Sequence, residues 1–406
     1  MIKIDHTTLA KDPTLGFYQI GSQVYWDKAS ALIEGTRLNL GRNDVHWNFN
    51  DSKFAAFDWT VEPPGEIRDY YHARARQLRE KYDYLILNCS GGGDSTTMLY
   101  AFINQGLHVD EIFVRHATAG TNKYNATNKI FDPSNEFSEF EYAALPLIKW
   151  LENVSPRTKI TVHDFSLDII NDTLTWDENF IHWCGDYVTP GCIVRYSHAS
   201  QKDSLTTFDK GKRIGILFGT DKPRIIIENN KVYTLFGDRQ VSSTLPAAVN
   251  NGYTNTQVEL FYWHPDALPL MAKQCHVVKR WVENPLNRGL RYMFNLQWLR
   301  SSVNRTAYEL LVKGLIYPDY DTRTFQCDKP VKAIYQEWDY WMEGFKNTNG
   351  FKTFARGLTY LQQNVGEQFL SIDRSALHQP GVPKGLSWEY GMYSSNHYLI
   401  GDLSTL

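Results

Sequence analysis

The stretch Tyr82–Leu107, YDYLILNCSGGGDSTTMLYAFINQGL, constrains this chain more than any other. Its opening YDYLILN is short, apolar and bounded by turn residues, so it reads as a buried strand. Ser95–Gln105 reads as a helix. Three consecutive glycines, Gly91–Gly93, stand between them. Each loses backbone entropy on folding, so the run marks a place where bare backbone is needed. The first turn of a helix leaves N–H groups without partners, and its dipole favours negative charge. Glycines let an anion come close to that turn, and Ser90, Ser95 and Thr96 add hydroxyl donors. Asp94 conflicts with a simple anion site, because like charges repel. The conflict lifts if Asp94 caps the helix, or if Mg²⁺ lies between its carboxylate and a phosphate. The segment is not G-x-x-x-x-G-K-[ST], since it has no lysine there, nor is it G-x-G-x-x-G.

The surrounding pattern extends the strand–helix unit. Glu66–Lys81 predicts a helix with Ile67, Tyr70, Tyr71, Ala75 and Leu78 on one face. Strands are expected over 108–117, 158–166 and within 212–224, and a helix over 138–152 that Pro146 kinks or divides. Strands alternating with helices imply βαβ units and a mostly parallel sheet with helices on both faces, an α/β fold. Residues 1–65 read as a small β-rich leading segment, ending at the punctuation Pro63-Pro64-Gly65. Residues 66–264 hold the α/β unit. From 265 onward the chain reads as mainly helical and rich in aromatics. A long helix over 265–283 places Leu268, Met271, Cys275, Val278 and Trp281 on its apolar face and Lys273, Lys279 and Arg280 on a charged outer face. A further helix is expected over 331–345, and two short strands close the chain.

Ser90-Gly91-Gly92-Gly93-Asp94-Ser95 resembles the SGGxDS signature of the PP-loop ATP pyrophosphatase superfamily. That superfamily includes asparagine, GMP and NAD synthetases, tRNA-modifying thiolases and sulfonucleotide reductases. The resemblance covers roughly residues 80 to 225 and implies an adenine nucleotide alpha hydrolase-like sheet. It also implies ATP and Mg²⁺ as cofactors. By analogy, Ser90–Thr96 hold the pyrophosphate end of ATP, and the backbone near Val114 and Arg115 meets the adenine. ATP is cleaved between its α and β phosphates, leaving AMP on an acceptor oxygen that an amine, ammonia or another nucleophile then attacks. Charge that builds on the leaving pyrophosphate needs fixed cations or metal. FGTDKPRI supplies Lys222 and Arg224 right after a strand, with Asp221 as a metal ligand beside Asp94. The expected catalytic set is therefore Asp94, Ser95, Lys222 and Arg224.

Other features narrow the class. Position 2 is Ile2, so the N-terminal cysteine of glutamine-hydrolysing synthetases is absent, and there is no C-x-x-C for sulfur relay. Sulfonucleotide reductases need a C-terminal cysteine in an E-C-G-like context, whereas the last cysteine here is Cys327 in TFQCDKP. That reading and a nucleotide-binding scaffold without turnover stand as alternatives to an AMP-forming ligase or transferase. His182, Cys184, Cys192 and His198 fit no common zinc spacing and read as core cysteines and loop histidines, while Asp186 and Arg195 are placed to face substrate. His264 and Asp266 read as a helix N-terminal region, with Asp266 near the cap. A net charge of −3 gives no overall pull toward nucleic acid or anionic membrane, so the expected partner is a small-molecule or nucleotide acceptor. A nucleic-acid base stays open as that acceptor. No stretch is long and apolar enough to span a membrane. The first residues lack a signal-like apolar core, and five unpatterned cysteines fit a reducing, cytoplasmic setting.

Overall fold

The structure is a computed structural model that describes residues 12–120, 122–123, 140–172, 181, 187–190, 211–219, 222–238, 256–300, 302–320, 342, 344–370 and 388–403. The leading segment forms β1 (Phe17–Ile20), β2 (Gln23–Tyr25), α1 (Lys28–Arg37), β3 (His46–Asn48) and α2 (Asp51–Ala56). Its three strands make an antiparallel sheet in the order β2-β1-β3. The strands were legible as β-rich sequence; helix α1 between them and α2 after them were not.

The α/β unit follows. Its first half comprises α3 (Ile67–Lys81), β4 (Tyr84–Asn88), α4 (Gly93–Ile103), β5 (Glu111–His116), α5 (Leu145–Val154), β6 (Lys159–Asp164) and α6 (Phe165–Ile170). Helix α3 forms where the periodicity placed it, with the Asp69 carboxylate accepting from the Glu66 N–H at 3.4 Å. Tyr71, Ala75 and Leu78 are buried as expected, but so is Arg74. The helical stretch is divided beside Pro146, into a π-helical turn over Phe140–Ala144 and α5 from Leu145. Pro146 sits in the first turn of α5, where its missing N–H costs nothing.

The second half comprises β7 (Tyr187–Val188), β8 (Ile214–Phe218), β9 (Arg224–Glu228), β10 (Lys231–Leu235) and β11 (Thr256–Leu260). Beyond it come α7 (Leu268–Glu283), α8 (Ser302–Ile316), α9 (Asn349–Asn364), β12 (Trp388–Glu389) and β13 (Tyr398–Asp402). Five strands, in the order β6-β5-β4-β8-β11, form an all-parallel sheet covered by helices, so the fold is α/β. From β4 the chain steps outward through β5 to β6. It then returns to the other side of β4 at β8 and continues to β11. The direction therefore reverses between β4 and β8. In open α/β sheets, the crevice beyond the carboxyl ends of the strands at such a reversal is where ligands bind.

A hairpin, β9–β10, lies between β8 and β11, and β13 completes it as a three-stranded antiparallel sheet. β12 pairs with β7. The charged outer face expected on α7 is partly overturned. Lys273 is buried and reaches the Glu62 carboxylate at 2.7 Å, and Arg280 reaches the same carboxylate. Together they pin the chain just before Pro63-Pro64-Gly65. Lys279 instead pairs with Glu283 one turn along α7. Among the described residues, no helix is long and apolar enough to cross a membrane. Asp221, Cys327 and the cluster His182, Cys184, Asp186, Cys192, Arg195 and His198 lie outside the described residues, as does nearly all of the helix expected over 331–345.

Candidate functional site

The glycine run leaves the carboxyl end of β4 and opens α4 directly. Gly92 is the N-cap residue, and no side chain caps the helix, so the first-turn N–H groups face the loop as α-helical geometry leaves them. The three glycines have different tasks. Gly91 has φ +82°, and a Cβ there would lie 2.5 Å from the Ala144 backbone nitrogen. Its bareness is taken up by the π-helical turn that packs against it. Gly92, with φ −68°, is half-buried, Gly93 is buried, and Ser90 is exposed. The accessible rim is therefore Ser90, Gly92 and Asp94.

The hydroxyls of Ser95 and Thr96 turn back onto the loop. Ser95 Oγ donates to the Gly92 carbonyl at 3.1 Å, and Thr96 Oγ1 donates to the Gly91 carbonyl at 3.0 Å. Both side chains are buried, and they lock the turn to the helix. Ser90 Oγ accepts from the Gly92 N–H at 3.3 Å.

Asp94 gathers the site. Lys313 Nζ, from α8, lies 2.8 Å from Asp94 Oδ2, and Lys222 Nζ, four residues beyond β8, lies 3.7 Å from Oδ1. The Tyr317 hydroxyl donates to Oδ1, and the Tyr262 hydroxyl donates to the Asp94 backbone carbonyl at 2.6 Å. The rings of Tyr262 and Tyr317 stack with centroids 5.3 Å apart, and Tyr71 stands edge-on to Tyr262. Burial holds the Tyr262 and Tyr317 hydroxyls well above the ordinary tyrosine range, with the Asp94 charge adding to the shift, so both remain protonated donors. Gly219, directly after β8, allows this closeness: a Cβ there would lie 2.9 Å from the Asp94 carbonyl oxygen. The ends of β4 and β8 thus meet at the start of α4.

Val114 is buried in β5, and Arg115 follows it. Pairing of β5 with β4 ends at Asn88↔Phe113, whereas pairing with β6 continues to His116↔Asp164. Val114, Arg115 and His116 therefore run past the last β4 pair, beside the glycine loop. The His116 imidazole stacks on Phe140 with ring centroids 4.0 Å apart, which ties this edge to the same π-helical turn that packs on Gly91.

The structure brings Asp94 and Lys222 together, as their places in the sequence implied. The Arg224 guanidinium donates to Met392 Sδ at 3.2 Å. Lys313, Tyr317 and Tyr262 were not anticipated. For Lys313 a signal existed: one lysine set in the apolar run Leu310–Tyr317, LLVKGLIY. His264, not Asp266, caps the short 3₁₀ turn Pro265–Ala267 that leads into α7, its Nδ1 accepting from the Asp266 N–H at 3.2 Å. No protein-family model matches the chain, and no curated protein matches it.

Proposed function

We propose that the chain is an ATP pyrophosphatase-type enzyme of the PP-loop kind. It cleaves ATP to AMP and pyrophosphate and adenylates an acceptor oxygen for attack by ammonia, an amine or another nucleophile. One observation carries the reading: a glycine loop without a side-chain cap, a helix N-terminus and a buried lysine converge beyond β4 and β8, where the strand order reverses. In this reading the pyrophosphate end of ATP lies along Ser90, Gly92 and the first turn of α4. The base lies against β5 at Val114 and Arg115, where the strand runs past its last β4 pair. Lys222 stands where negative charge builds as the α–β bond breaks, which is where a fixed cation lowers the barrier. The acceptor oxygen displaces pyrophosphate from the α-phosphorus and keeps the AMP, and the nucleophile then displaces AMP. The acceptor is a small molecule or a nucleotide.

The Asp94 carboxylate already has two ammonium groups within 4.0 Å. That arrangement does not fit Mg²⁺ on the same oxygens, so no metal is assigned to Asp94 and no step passes through one. The test is incubation with ATP, Mg²⁺ as its usual companion, and candidate acceptors, with AMP and pyrophosphate as the readout. Both products are expected in equal amounts. Lys222→Ala should lower the rate by about a hundredfold, the range of a lost charge-stabilising group. Gly92→Val, at a φ any residue adopts, should weaken ATP binding. ATP binding without AMP would make the chain a scaffold, and thiol-dependent release of sulfite from an adenylyl sulfate would place it with the reductases.

A further inference from the structure

Asp94 is the second residue of α4, at the turn the pyrophosphate approaches in the reading above, and the following inference rests on that reading. A lone carboxylate there would repel a polyphosphate. We propose that Lys313 is the positioning residue that makes this turn an anion site: it neutralises Asp94 from behind, so the loop accepts pyrophosphate without a metal bridge on that carboxylate.

The geometry is specific. Lys313 is fully buried, with its ammonium 2.8 Å from Asp94 Oδ2. A buried ammonium is costly unless it is paired and hydrogen-bonded, so mere packing would favour an apolar residue at this position in α8. Tyr317 lies four residues further on, on the same side of the chain, and its hydroxyl donates to Oδ1. Lys222 approaches Oδ1 from the β8 side. The carboxylate is thus held from the protein side while 27% of the Asp94 side chain stays accessible. Lys313 lies behind, and the ligand-facing rim lies in front. The first-turn N–H groups and dipole of α4 then act on an incoming anion without opposition from Asp94. Lys313 touches no ligand in this scheme. Its role is to set the charge and orientation of Asp94, which makes α8 part of the site.

Calorimetric titration of inorganic pyrophosphate and of ATP, in EDTA and in Mg²⁺, tests this, with thermal unfolding run in parallel. Wild type is expected to bind pyrophosphate in EDTA. Lys313→Met should bind it at least about tenfold more weakly in EDTA, because the Asp94 charge beside the anion is then left without its buried partner, and should recover part of the loss in Mg²⁺. The double variant Asp94→Asn/Lys313→Met should return to within about threefold of wild type in EDTA, since neither charge is left uncompensated. Equal affinity of Lys313→Met and wild type in EDTA would overturn the inference alone. So would a double variant no tighter than Lys313→Met. If Lys313→Met does not fold, the double variant decides: a tenfold loss against wild type overturns the inference. Failure of wild type to bind either compound under both conditions overturns the nucleotide reading, and this inference with it.

Discussion

Gly219 and Gly91 set how closely the candidate site can be assembled. A Cβ on Gly219 would press on the Asp94 carbonyl at 2.9 Å, against backbone that has no rotamer to change. Gly219→Ala should therefore push the start of α4 away from β8, cost about 1–3 kcal/mol in urea unfolding and weaken ATP binding. Gly91→Ala should cost more, because it adds a positive φ of +82° to a 2.5 Å approach to Ala144. Unchanged unfolding midpoints in both variants would contradict this packing. In the sequence the three glycines look equivalent. Their division of labour depends on what faces them, and the Phe140–Ala144 turn that faces Gly91 is about fifty residues away. Asp94 was legible as a residue out of place in an anion site. Its answer, Lys313, lies on a helix far along the chain, and no local spacing connects the two.

Among the elements, those built from strictly local patterns were legible. β4, α3 and α4 follow from apolar runs, helical spacing and capping chemistry, and they occur where those patterns place them. The β9–β10 hairpin carried a signal that is weaker than Asn-Gly but of the same kind. Asn229 and Asn230 link Glu228 to Lys231 and take φ values of +51° and +58°. Two successive left-handed residues make the turn that matches the twist of a hairpin, and asparagine tolerates that region better than most residues. Replacing both with Ala should destabilise the protein by about 1–2 kcal/mol per residue, whereas replacing both with Gly should be nearly neutral. Chemical denaturation curves for the two variants distinguish these outcomes. α7 was legible as a helix but not in the fate of Lys273. Periodicity marks which residues share a face; it does not say that Glu62 will come to meet one of them.

Across the whole molecule, aromatic and ionic contacts join distant parts of the chain. Phe54 and Trp59 from the leading segment pack with Phe236, Trp263 and Tyr398. Lys28 and Asp238 form a buried ion pair at 2.7 Å, and the Tyr18 hydroxyl donates to the same carboxylate at 2.6 Å. A second network surrounds Glu259 in β11: Arg74 at 2.8 Å, Lys81 at 2.6 Å and His264 at 3.3 Å. Burial alone would raise the Glu259 carboxyl, but the neighbouring cations, Arg74 foremost, hold it at about 2. Burial pushes the His264 imidazole down to about 4, against the pull of Glu259. Both folded values lie below the ordinary ones, so both groups stabilise the fold at neutral pH and lose that contribution as pH falls. His264 loses it between its ordinary 6.5 and about 4, and Glu259 between 4.5 and about 2. The free energy of unfolding should drop across pH 6.5 to 4, by on the order of 1–3 kcal/mol for His264. His264→Gln should flatten that part of the curve; an unaltered slope would remove His264 from the account. Glu259→Gln should cost about 3 kcal/mol at neutral pH, because Arg74 is left buried without its carboxylate.

By itself the sequence determined the parts that arise from neighbours along the chain. These are the strand, glycine turn and helix of Tyr82–Leu107, the alternation that makes an α/β sheet, and the identity of Asp94 as a residue needing explanation. Tertiary structure alone decided that β8 lies beside β4, so that Lys222 reaches the glycine loop. It also decided that α8 brings Lys313 and Tyr317 to the same carboxylate. The physical reason is range. Propensity, capping and periodicity act within a few residues, whereas pairing a buried charge requires partners that only the folding of distant segments can bring within hydrogen-bond distance.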